Sequence, residues 1–126
     1  MNFGAFLMRD FRQFSVWRKA HDLTLRVYSV SREFPRDEKF GLTSQLRRAA
    51  VSIELNTAEG AGRRTDKDFA HFLDQATGSA TEVECALLIA RDLGMLRTDI
   101  TDDMDRQVNE VKRMLYGFCS KLRGKR

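Results

Sequence analysis

The stretch that decides the fold runs from residue 41 to residue 79, GLTSQLRRAAVSIELNTAEGAGRRTDKDFAHFLDQATGS. Two amphipathic patterns flank Gly60-Ala61-Gly62, and Arg63 and Arg64 follow the break directly. In the first pattern Leu42, Leu46, Ala49, Ala50, Ile53 and Thr57 recur at intervals of three and four, which lines them along one face of a helix over 42–59. Gly60 or Gly62 then suits a left-handed C-cap. The second pattern opens with Thr65 as N-cap, with Asp66 and Asp68 facing the positive end of the helix dipole. Its inward stripe is Phe69, Phe72, Leu73, Ala76, Ala80, Val83, Leu87 and Ala90. Gly94 stops that helix, and Met95-Leu96 folds back over its end.

The same periodicity extends to both sides. Upstream, Ser15 is the expected N-cap of a helix whose stripe is Trp17, Ala20, Leu23, Thr24, Val27, Ser31 and Phe34. Pro35 ends it, because the residue before a proline is pushed out of the helical region. The charged loop 36–39 follows. Downstream, Met104, Val108, Val111, Leu115, Phe118 and Leu122 face inward from a helix over 102–122. No strand pattern competes. The expected fold class is all-α, an antiparallel up-down-up-down four-helix bundle with short loops. It divides the chain into an N-terminal extension over 1–14, the bundle over 15–122 and a basic tail over 123–126. In the extension Phe3, Leu7, Phe11 and Phe14 have near-helical spacing, which suits either a docked short helix or a frayed end.

A chain of 126 residues is expected to be one domain, large enough to bury a core without covalent staples. Its two cysteines, Cys85 and Cys119, lie far apart, which argues against a disulfide framework and fits a reducing cytoplasm. The start, MNFGAFLMRDFRQF, does not read as a signal peptide, since Arg9 and Asp10 interrupt a short apolar run. No uncharged run approaches the roughly 18 residues of a membrane span.

Charge is unevenly placed. Residues 1–64 carry 12 Lys/Arg against 7 Asp/Glu, residues 65–111 carry 4 against 11, and residues 112–126 carry 6 against none. Helices of opposite sign can neutralise one another in the bundle, or the basic ends can meet an acidic partner such as nucleic acid. The basic candidates for RNA or DNA contact are Arg47, Arg48, Arg63, Arg64, Lys121, Arg123, Lys125 and Arg126. With no base-reading motif, such contact is expected to be directed at the phosphate backbone.

Two faces are too apolar for the outside of a lone bundle. Val51, Leu55 and Ala58 lie opposite the core stripe of the second helix; on the third, the run from Cys85 through Leu88 to Ala90 is apolar almost all the way round, with Cys85 and Ile89 near the back. They suit an oligomer interface, or cover by the N-terminal segment or the tail. A polar seam of Gln45, Ser52, Asn56 and Glu59 runs beside them. Glu59 stands near a helix C-terminus, where the dipole disfavours a carboxylate, so it needs a partner among Arg48, Arg63 and Arg64. Either an ion pair orders the turn or the seam faces a ligand.

No catalytic, cofactor or metal set emerges. His71 and Asp74 share a helical face but lack a third ligand. Neither cysteine has a histidine in an informative relation, and Ser44, Ser52 and Ser79 have no recognisable base. Gly60 to Arg64 resembles a phosphate cradle only superficially, without a preceding strand or the Lys-Ser/Thr pair. The expectation is a protein that is no enzyme. It is either a nucleic-acid-binding oligomer or a scaffold for other proteins.

From Phe11 to Leu96 the chain carries FRQFSVWRKAHDL, FP, GLTSQLRRAAVSI, N-x-AEG-x-GRR and DFAHFL-x-x-A-x-GSA-x-E-x-E. In order and spacing these resemble the four-helix-bundle proteins encoded in intervening sequences of 23S ribosomal RNA genes. The resemblance implies an antiparallel bundle assembled as a homopentamer. It also implies kinship with the accessory variability protein of diversity-generating retroelements, a pentameric barrel that binds nucleic acid and partners a reverse transcriptase. The family usually reads S-I-P-x-N-I-A-E-G where this chain has Ser52-Ile53-Glu54-Leu55-Asn56-Thr57-Ala58-Glu59-Gly60. Losing the proline is expected to straighten the second helix and restore a backbone donor, while Leu55 enlarges the outward apolar stripe.

Overall fold

The computed structural model describes residues 9–124, which form four long helices and no strand. They are α1 (Ser15–Ser31), α2 (Leu42–Ala61), α3 (Asp66–Asp92) and α4 (Thr98–Leu122), with single 3-10 turns at Phe11–Gln13 and Arg36–Glu38. Phe3 and Leu7 of the expected N-terminal pattern, and Lys125 and Arg126 of the tail, lie outside the described residues.

Side-chain contacts order the four helices around one core. Thr24 donates from its Oγ1 to the Ala50 carbonyl at 3.2 Å, while Arg47 reaches back to Ser31 at 2.8 Å. Ser52 meets Ser79 at 2.8 Å, and Gly60 lies against Phe69. Asp74 pairs with Arg123 at 2.6 Å, and Glu84 with Lys112 at 3.0 Å. Phe14 packs on Phe118, and Arg26 meets Asp103 at 2.5 Å, which brings α1 onto α4. Along each of these contacts ascending numbers on one helix meet descending numbers on the next.

The core follows the i, i+3, i+4 stripes. Leu23, Leu46, Ile53, Phe69, Leu73, Leu87, Met104 and Leu115 are fully buried. Each such side chain contributes about 1.5–3 kcal/mol relative to exposure. Buried Thr24 and Thr57 satisfy their hydroxyls on backbone carbonyls one turn back. The stripes shift at their edges. Val16 is buried where Trp17 was expected, and Trp17 is half-buried against Phe11 and His21. Leu42, Phe72, Phe118 and Leu122 are half-buried, while Ala70, Ala86, Thr101 and Cys119 are buried. These differences sit mainly near helix ends, where fewer neighbours cover each position.

The caps differ in detail. Ser15 is the first residue of α1 rather than its N-cap, and Phe14 precedes it with no side-chain cap. Phe14 is held there by its ring contacts with Phe69 and Phe118. Thr65 caps α3, accepting from the Asp68 amide. Gly94 adopts φ 76°, and the Met95 amide donates to the Ala90 carbonyl, closing a Schellman end with Leu96 buried over it. Neither glycine of the α2–α3 turn is left-handed: Gly60 lies within α2, and Gly62 has φ −84°. α2 runs unbroken through Glu54, as a chain without proline there allows. α4 starts at Thr98, four residues ahead of the expected start, with Thr101 bonded to the Arg97 carbonyl.

Candidate interaction surfaces

The α2–α3 turn and the outer side of α2 hold most of the residues singled out from the sequence. Glu59 and Arg63 pair across one helical turn at 2.9 Å, and the Arg63 guanidinium lies 4.6 Å from the centre of the Phe72 ring. The Arg63 carbonyl accepts from Arg9, whose guanidinium lies over Phe69. The carboxylate that opposes the dipole is thus answered by an arginine that also orders the turn. In the polar seam Asn56 donates to the carbonyl and hydroxyl of Ser52, and Ser52 bridges to Ser79. Gln45 is exposed. Glu54, at the position where the family pattern has proline, turns to His21 at 3.0 Å, and His21 stacks on Trp17.

Six described basic candidates divide into two groups. Arg47 bonds Ser31 and the Tyr28 carbonyl and covers the Tyr28 ring, Arg63 is held as above, and Arg123 grips Asp74 and touches Cys119. Arg48, Arg64 and Lys121 are exposed, as is Lys67, which the sequence pattern did not single out. Arg64, Lys67 and Lys121 all lie toward one end, where α2 stops, α3 starts and α4 stops.

The apolar candidates are accessible to different degrees. Leu55 is 62% exposed, with half-buried Val51 and Ala58 beside it on α2. On α3, Leu88 is 40% and Ile89 44% exposed, and Cys85 is exposed too. A shallow depression of about 450 Å³ runs beside Leu55 between Tyr28, Arg48, Val51 and Asn56. Ser52 and Ser79 separate the two patches, which helical rise places about 20 Å apart along the bundle.

A groove of about 780 Å³ between α1 and α4 has no counterpart in the sequence reading. Phe14, Val16, Met114 and Phe118 line it, Gly117 opens it and Lys121 stands at its rim. The available signal was Gly117, a glycine inside a strongly amphipathic helix. It does not reveal which neighbour is missing.

Two of the shifted carboxyls among the described residues lie in ion pairs between α3 and α4. The guanidinium of Arg123 holds Asp74 below the usual carboxylate range, and the ammonium of Lys112 does the same for Glu84. Burial, then the neighbouring Glu84 charge, pushes Asp105 upward. Cys119 is buried with its sulfur against the Ala70 carbonyl, Asp74 and Arg123. Among the described residues no three His, Cys, Asp or Glu side chains are placed to share a metal ion. No described helix is long and apolar enough to cross a membrane.

No curated protein matches the chain. Among solved structures it is similar to a Bacteroides thetaiotaomicron protein described as having unknown function and coming from the S23 ribosomal protein family. The two share 19% identity and a TM-score of 0.77 over 82% of this chain and 97% of the other. At that identity the likeness speaks for the fold. The family match is broader in meaning: residues 12–117 fit the description 23S rRNA-intervening sequence protein, from the turn before α1 into the last part of α4. With four helices and a match over most of its length, this chain belongs to the 23S rRNA-intervening sequence protein family.

Proposed function

We propose that the chain is a non-enzymatic assembly protein, an antiparallel up-down-up-down four-helix bundle that associates with copies of itself into a ring. The observation that carries this reading is Leu55, a large aliphatic side chain 62% exposed between Val51 and Ala58 on the outer side of α2. Leu88 and Ile89 extend the accessible apolar surface on α3. Exposed apolar patches are typical of association sites. The family resemblance makes five copies the expected number. Light scattering at micromolar concentration should give several times the 14.5 kDa chain mass, and a monodisperse monomer would reject the proposal. Leu55→Arg should release monomers by placing unpaired charge in the contact.

A second reading is favoured by Arg64, Lys67 and Lys121, which are exposed at one end of the bundle. Repeated around a ring, these cations form a multivalent surface for the phosphates of RNA or DNA, and avidity raises affinity without new contacts. A mobility-shift assay across salt tests it. Failure to retain either nucleic acid at low salt leaves the scaffold role alone.

A further inference from the structure

We infer that, in the self-association proposed above, the Leu55 ridge on α2 of one copy seats in the α1–α4 groove of the next. This rests on that proposal and supplies the second surface it requires. A ring is built from a heterologous contact, in which one patch meets a different one, so a single apolar ridge is not enough. The groove offers a surface that could take it: Phe14, Val16, Met114 and Phe118 line it, with Ser15 and Ser120 beside them, and its volume is about 780 Å³. Its opening is made by Gly117, where a Cβ would have no neighbour within 4 Å. Glycine is unfavourable inside a helix, and here it lines the groove with open space where a side chain would stand.

The two surfaces also stand at one height along the bundle. Ser52 is level with Ser79, and Asp74, about 8 Å further toward the α2–α3 turn, is level with Cys119. Counting along each helix puts Met114 level with Ser52, and both Glu59 and Lys121 about 10 Å below it. Leu55 and Ala58 fall in between, opposite the middle of a neighbour's groove. Charge agrees at the lower edge: Lys121 is exposed on the groove rim, and Glu59 keeps 55% of its side chain exposed beside Arg63. Side-by-side copies kept at equal height thus bring the Glu59 carboxylate to the Lys121 ammonium while Leu55 enters the groove.

Mixing two damaged proteins tests this. Leu55→Arg destroys the ridge and leaves the groove, and Gly117→Trp fills the groove and leaves the ridge. Each alone should run as a monomer in light scattering, with helical circular dichroism retained. An equimolar mixture should yield a two-chain species, joined through the one intact ridge and the one intact groove. Gly117→Gln serves if the tryptophan variant does not fold. An unchanged mass for the groove variant, or a mixture that stays monomeric while the unaltered chain assembles, would overturn the inference. A monomeric unaltered chain would instead remove the assembly proposal itself. Deleting residues 1–8 should leave the assembly intact. Dissociation on that deletion would assign the groove to the N-terminal segment and overturn the ridge as its occupant.

Discussion

Gly60 of α2 touches Phe69 of α3 so closely that a Cβ at residue 60 would stand 2.8 Å from a ring carbon, and 2.9 Å from the Cβ of Phe72. The glycine is helical, so its role is contact distance and not backbone freedom. It lets α2 and α3 converge just before the turn, where Phe69 forms the floor under Phe14 and Phe118.

Gly60→Ala should therefore destabilise the fold. In an unobstructed helix the change gains up to about 1 kcal/mol, but forcing a methyl into packed rings costs about 1–3 kcal/mol. Gly117→Ala, with open space around its Cβ, should gain stability in the monomer. Thermal unfolding of both variants, in a Leu55→Arg background that keeps the chain monomeric, checks the opposite signs.

Asp74 and Glu84 should support the fold at neutral pH and lose that support in acid. Their carboxyls are held low by Arg123 and Lys112, so the stabilisation is present above the unfolded carboxylate range and is lost as pH falls through the folded values. Both pairs are partly exposed, so solvent screening keeps each contribution small. Asp74→Asn should lower the urea midpoint at pH 7 and flatten its fall toward acid.

Asp105 should act with the opposite sign. Burial and the nearby Glu84 charge raise its carboxyl, so its ionised form weakens the fold at neutral pH, and the penalty disappears as pH drops through the raised value. Asp105→Asn should raise the urea midpoint at pH 7 and match the unaltered chain in acid. Asn109 donates to the Asp105 side chain, and the amide oxygen of asparagine can accept that bond in its place.

If RNA or DNA binds, its salt dependence should separate the exposed, unengaged cations from those held within the protein. Arg64→Ala or Lys67→Ala should each lower the slope of log affinity against log salt by about 0.9 per lost contact with duplex DNA. Arg63→Ala should change the slope less, because Arg63 is already engaged by Glu59 and Phe72. Equal slopes for all three variants would mean that the ion pair opens on binding.

The sequence by itself determined the four helices and most of their buried faces, because helical period places Leu46, Ile53, Leu73, Leu87 and Met104 on inward stripes whatever lies beyond them. It also determined the Thr65 cap and the Gly94 stop, since both are made with residues a few positions away. Family membership was legible for the same reason, in motifs that keep their order and spacing. What only the tertiary structure decided concerns partners distant along the chain. Arg123 is taken by Asp74 and Arg47 by Ser31 and Tyr28, while Arg64 and Lys121 stay exposed, although all of them read alike as basic residues. Gly60 proved to be a packing position and Gly117 an opening in a groove, a difference made by the presence of Phe69 beside one and of nothing beside the other. Periodicity reports which way a side chain points, and only the packed neighbours decide what it meets there.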